Sequence, residues 1–124
     1  MGTRSVTRIY DEGKFILALY KKYDGYTDGW GKELKNFIKS GKFVNGFGNT
    51  KELEFNGIGC FALQLVEKFK EGVGGLYATT EDDKQEYNYK IEMVGDVVTI
   101  SCAEEKDFRE EINCGLNKGE QNAL

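Results

Sequence analysis

Two hydrophobic rhythms divide the chain. Ser5–Tyr10, SVTRIY, is dense in β-branched and aromatic residues, and the KFILALYKKY segment alternates Phe15, Leu17 and Leu19 against Ile16, Ala18 and Tyr20. A period of two with apolar residues on both faces predicts a central strand. Asp11-Glu12-Gly13 between the segments predicts the turn of an antiparallel hairpin. From Trp30 the period lengthens. Trp30, Leu34, Phe37 and Ile38 fall at i, i+4, i+7 and i+8, a helix with Thr27 or Asp28 as its cap and Gly41 as a left-handed terminator. Ile58, Phe61, Ala62, Leu65 and Phe69 form a second helical stripe, widened by Cys60, Leu63 and Val66. It starts after Asn56, stops at Gly72, and is expected to be the most buried helix.

The short period then returns. GGLYATT predicts a brief strand, and an acidic loop over 81–84 precedes QEYNYKIEM, where Tyr87, Tyr89, Ile91 and Met93 oppose Asn88, Lys90 and Glu92. Gly95-Asp96 suits a two-residue hairpin turn, after which Val98, Ile100 and Cys102 share one face. Asp107 with Glu110 matches a capping box, and Phe108 and Ile112 are spaced to dock one side of a short acidic helix over 107–114. The predicted order is β-β-α-α-β-β-β-α. Clustered strands without βαβ alternation indicate an α+β fold, a mainly antiparallel sheet with helices packed on one face. Residues 1–114 read as a single domain and 115–124 as a flexible polar tail.

At 124 residues the chain is long enough for a sizeable core, and its sixteen glycines with no proline leave every special backbone turn to glycine. No apolar run approaches a membrane span, and the N-terminus lacks a signal-peptide core, so a cytoplasmic protein without a membrane partner is expected. Cys60, Cys102 and Cys114 are odd in number and lack CxxC spacing. Cys60 and Cys102 sit in apolar stretches, which predicts buried free thiols in a reducing compartment.

Histidine is absent. Its absence removes Ser-His and Cys-His nucleophile pairs, the usual zinc ligand sets and the side chain best matched to proton transfer near neutrality. No catalytic residue, metal or cofactor is therefore assigned. The net charge of −4 runs against general nucleic-acid binding, which phosphate neutralisation drives, and suits a protein that docks on a basic surface.

Two motifs carry candidate chemistry. An apolar-Asn-Gly-apolar-Gly pattern occurs at Val44–Gly48 and again, eleven residues on, at Phe55–Gly59. Gly57, Gly59 and Ala62 match a dinucleotide-type glycine spacing at a helix start, where unpaired N–H groups favour an anion. Without a preceding strand or a βαβ unit, turn and cap chemistry is the stronger reading, with Asn56 as cap and Gly57 and Gly59 allowing close packing. An alternative function as a small-molecule or nucleotide-sequestering module would use Arg4, Arg8, Asn56, Gly57 and Gly59 as an anion site. Arg4 and Arg8 share one strand face, and the competing structural role for them is pairing with the acidic C-terminal segment.

The second motif is aromatic. Tyr20, Tyr23, Tyr26 and Trp30 cluster where the second strand meets the first helix, among Asp24 and Asp28. Tyrosine and tryptophan carry binding energy at interfaces, so Tyr23, Asp24, Tyr26, Asp28 and Trp30 form the candidate partner-binding face. Asp24–Gly29 opens like a calcium loop, but Tyr26 and Lys35 stand where ligands are required. Lys32, Lys35, Lys39 and Lys42 follow at helical spacing, the ordinary pattern of a solvated face.

The opening MGTRSVT, YDGY at Tyr23–Tyr26, VNG at Val44–Gly46, NGIGC with Gln64 one helical turn on, GGLY at Gly74–Tyr77 and QEYNY at Gln85–Tyr89 occur in this order over most of residues 1–91. In these pieces the chain resembles a group of small proteins encoded by tailed phages and prophages. The resemblance implies a phage or mobile-element origin and carries no catalytic residues. The chain departs from the group in its short N-terminal hairpin and in its predicted C-terminal helix. Together these readings lead to the expectation of a non-enzymatic phage accessory protein that binds a bacterial host protein or ribonucleoprotein, such as a CRISPR effector.

Overall fold

The computed structural model of the chain describes residues 2–44 and 53–114. The Asn45–Gly48 part of the first glycine pattern and the 115–124 tail lie outside the described residues.

The fold is α+β, with a mixed, mostly antiparallel six-stranded sheet and two helices. β1 (Ser5–Asp11) and β2 (Lys14–Lys21) form the expected hairpin, and Glu12 and Gly13 at its tip both have positive φ, 52° and 84°. A turn through Thr27–Gly31 leads into α1 (Lys32–Ser40). β3 (Lys42–Val44) and β4 (Glu54–Asn56) pair in parallel as a separate ribbon, and α2 (Gly57–Phe69) follows β4 directly. β5 (Leu76–Ala78), β6 (Tyr87–Val94), β7 (Val97–Cys102) and β8 (Arg109–Asn113) complete the sheet in the order β5-β2-β1-β6-β7-β8. Only β1 and β6 run parallel within it.

Three expectations need correction. The predicted C-terminal helix is the edge strand β8: Glu110 and Ile112 alternate with exposed Arg109, Glu111 and Asn113. Phe108, Glu110, Ile112 and Cys114 fit a period of two as well as Phe108 and Ile112 fit a helical turn. Pairing with β7 supplies the backbone partners that an eight-residue helix could hardly secure alone. The β3–β4 ribbon is also additional, so the strand missed before the second glycine pattern exists but belongs to no βαβ unit of the main sheet. Finally, Gly41 is extended (φ −115°) rather than left-handed. Its value is space, because a Cβ there would sit 2.5 Å from the Phe55 ring.

Side-chain alternation sorts the sheet into two environments. Ile9, Leu19, Tyr89, Ile91, Met93, Val98, Ile100 and Cys102 join the buried faces of both helices and of the β3–β4 ribbon in one cluster. Its centre is aromatic: Phe37, Phe43, Phe55 and Phe61 pack ring on ring at centroid distances of 5.0–5.8 Å. Neighbours of opposite parity, Val6 and Ala18, are fully buried on the other face.

They are covered by the connection between β5 and β6. Residues 79–86 cross β2 and β1 as a strap, three strand spacings or about 14 Å, which eight extended residues span easily. Arg8 holds it, donating from Nε to the Glu81 carbonyl at 2.6 Å and from Nη2 to the Asp83 carbonyl. Tyr10 adds a hydroxyl bond to the Glu81 carboxylate at 2.9 Å.

Candidate partner-binding surface

The aromatic connection from β2 to α1 is fixed from beneath. Gly25 is buried; its N–H donates to the Thr3 carbonyl (2.9 Å) and its carbonyl accepts the Tyr89 hydroxyl (2.6 Å). A Cβ at Gly25 would meet Ser5 Cβ at 2.7 Å, so glycine is required there by contact. The Trp30 N–H then reaches back to the Asp24 carbonyl at 2.8 Å, and the Gly29 and Gly31 N–H groups converge on the Tyr26 carbonyl. The result is a wide π-type turn over Thr27–Gly31 in which neither Thr27 nor Asp28 caps the helix by a side-chain bond.

Trp30 does not belong to the exposed face expected of it. It is fully buried, its indole N–H donates to Thr7 Oγ1 at 2.9 Å, and its ring meets Phe69 edge-on at 5.0 Å. A buried indole with its one donor satisfied is a structural anchor. Tyr23 and Tyr26, by contrast, are 52% and 41% exposed. The Tyr26 hydroxyl donates to Asp24 Oδ1 at 3.2 Å, and the Asp24 charge, followed by that hydrogen bond, raises its pKa. Asp24 itself has φ 59°, a left-handed backbone that aspartate adopts more readily than most residues.

A second acidic connection, between β7 and β8, lies alongside. Thr27 Oγ1 donates to Glu105 Oε1, and Glu104 accepts from the Asn88 backbone N–H (2.6 Å) and side-chain amide (2.8 Å). Exposed Glu105 therefore borders the turn that carries Tyr23, Asp24, Tyr26 and Asp28, while Glu104 is turned toward Asn88. Lys22 lies over the Tyr23 ring at 5.7 Å. Glu104 and Glu105 went unassigned in the sequence reading, although the Ala103-Glu104-Glu105 run after an apolar strand was visible as a charged loop. Nothing in the linear order placed it beside Thr27.

The anion-site residues do not come together. Arg8 is committed to the strap, and alternation from Thr7, which faces Trp30, puts it on the sheet face away from the helices. Its structural partner is thus the strap main chain, not the C-terminal segment. Asn56 occupies the N-cap position of α2 without a side-chain cap bond. Gly57 is needed for its φ of +84°, whereas a Cβ on exposed Gly59 would meet nothing among the described residues, so close packing against them is no reason for glycine there. The lysine row is also structurally engaged: Lys35 and Lys39 reach Glu110 at 3.9 and 2.5 Å, and Lys35 lies 4.0 Å from the Phe108 ring centroid.

Among the described residues, no three Cys, Asp or Glu side chains are arranged to hold a metal ion, and no helix is long and apolar enough to cross a membrane. The three cysteines are free. Cys102 is buried and burial raises its thiol pKa, as it does for Cys114, while Cys60 is only half-buried, against expectation. No family model, curated protein or solved structure matches the chain.

Proposed function

We propose that this chain is a non-enzymatic phage or prophage accessory protein that docks on a bacterial host target through the Tyr23–Tyr26 rim. The observation that carries the reading is a pair of exposed tyrosines on a turn locked from below by Trp30 and Gly25, with carboxylates around it. Exposed aromatics on a fixed backbone offer contact area at small ordering cost. The neighbouring Asp24, Asp28 and Glu105 select a basic partner surface and steer its approach.

A defence effector suits that description. A CRISPR nuclease holds nucleic acid in a positively charged channel, and an acidic rim is complementary to such a channel. The chain's phage resemblance supports the same partner class.

Affinity capture with the full chain, followed by titration of the identified partner, tests the reading. Tyr23→Ser/Tyr26→Ser should weaken binding by at least about tenfold, the effect of losing interface aromatics. Its folding stability should stay within about 0.5 kcal/mol of the parent, as for exposed substitutions. Binding should also weaken with added salt. Undiminished, salt-independent capture by the double variant would remove this rim as the docking site.

A further inference from the structure

A cleft of about 400 Å³ opens on the strap face of the sheet, between the strap and the sheet edge, lined by Arg4, Tyr20, Tyr77, Thr79, Asp83 and Gln85 among others. Tyr20 and Tyr77 are cross-strand partners on β2 and β5, and their rings pack at 5.9 Å with a 49° tilt, making an aromatic wall. Tyr77 remains 45% exposed.

Arg4 stands at the end of this wall. Its backbone is pinned on both sides: its N–H donates to Glu86 Oε1 (3.0 Å) and its carbonyl accepts the Tyr87 N–H (3.2 Å). Its guanidinium has no hydrogen-bond or ion-pair partner among the described residues, whereas Arg8 is bonded to the strap and Arg109 to Glu111. A planar five-donor group held at a cleft without an acceptor is suited to a carboxylate.

Asp83 supplies the opposite charge. Its Oδ2 accepts from Thr79 Oγ1 (2.7 Å) and its Oδ1 from Gln85 Nε2 (2.9 Å), which fixes the carboxylate and leaves each oxygen a further lone pair. The strap carries Glu81, Asp82, Asp83 and Glu86 against Lys84 alone. A phosphate dianion would be repelled there, but a ligand with one positive and one negative group would not.

We infer that this cleft is a binding site for a free aromatic amino acid, its carboxylate on Arg4, its ammonium on Asp83 and its ring against Tyr20 and Tyr77. The site uses none of the residues of the proposed docking rim. Because the cleft is open to solvent, affinity in the millimolar range is expected.

Amide-shift mapping of the isotope-labelled full chain tests it, with L-phenylalanine, phenethylamine (no carboxylate) and hydrocinnamate (no ammonium) as probes. L-Phenylalanine should give saturable shifts around Tyr20, Tyr77 and Asp83, and each truncated probe should bind at least about tenfold more weakly, as for loss of a charge-assisted bond. Arg4→Gln should weaken L-phenylalanine and hydrocinnamate by a similar factor and leave phenethylamine unchanged. Arg4 is exposed, so that variant should keep the parent spectrum elsewhere. Absence of saturable shifts at millimolar L-phenylalanine, equal binding of phenethylamine, or undiminished binding by Arg4→Gln would each overturn the assignment.

Discussion

The turn from Lys22 to Gly31 and the strap over 79–86 look alike in sequence, both short, polar and acidic. They are held in opposite ways. The turn hangs on a buried indole within the aromatic core, while the strap lies on the far face, gripped through its main-chain carbonyls by Arg8. In both, the residue best equipped to bind a ligand is spent on architecture. Trp30 and Arg8 position these loops, and the side chains left facing outward are Tyr23 and Tyr26 in one and Asp83 and Gln85, beside Arg4, in the other. Position decides which of two like side chains is spent this way: Arg8 reaches the strap carbonyls, whereas Arg4 stands at the cleft.

That contrast makes graded predictions. Trp30→Ala should be the most damaging, costing about 3–5 kcal/mol in urea melts because it opens a cavity and strands the Thr7 hydroxyl. A cost below about 1 kcal/mol would mean the turn is not hung on the core.

Tyr89→Phe comes next. Losing the hydroxyl that serves the Gly25 carbonyl should cost about 1–3 kcal/mol at neutral pH. Burial, the chief cause, raises the Tyr89 pKa well above that of a free tyrosine. The folded state therefore keeps a proton that the unfolded chain releases above about pH 10, so the parent loses stability as pH rises beyond that point. The phenylalanine variant should lose less across the same alkaline range, bringing the two stability curves together. Curves that stay parallel would contradict this origin of alkaline sensitivity.

The smallest global effect is expected from Arg8→Gln. Two bonds to the strap are lost, worth about 1.5 kcal/mol, and the loss should be local. Hydrogen exchange should accelerate roughly tenfold over 79–86, in proportion to that energy, with little change in the turn over 22–31. Uniform acceleration over both segments would show that strap and turn unfold together.

Much of the scaffold was legible in the linear pattern. The β1–β2 hairpin, both helices, the Gly95-Asp96 turn and the Val97–Cys102 strand lie close to where periodicity placed them, because burial of one face imposes period two or 3.6 locally. The candidate rim was legible in part: Tyr23, Asp24, Tyr26 and Asp28 were found as a cluster, but the exposure of each member was not. Trp30 at i and Leu34 at i+4 signalled a core position as strongly as a contact residue, and only the Thr7 hydroxyl across the core decided between them.

The chain's periodicities, glycine positions and lack of histidine determined by themselves the α+β class, the helix and hairpin locations and the poor prospects for imidazole chemistry. Tertiary structure alone decided that residues 109–113 extend the sheet, that β1 and β6 run parallel, that Glu105 reaches Thr27, and that among the described residues the Arg8 guanidinium has partners while that of Arg4 has none. The reason is range. Periodicity reports which side of an element meets the core, whereas pairing, register and partner choice depend on groups as far as 82 residues away in the Arg4–Glu86 bond, whose satisfaction no local window can register.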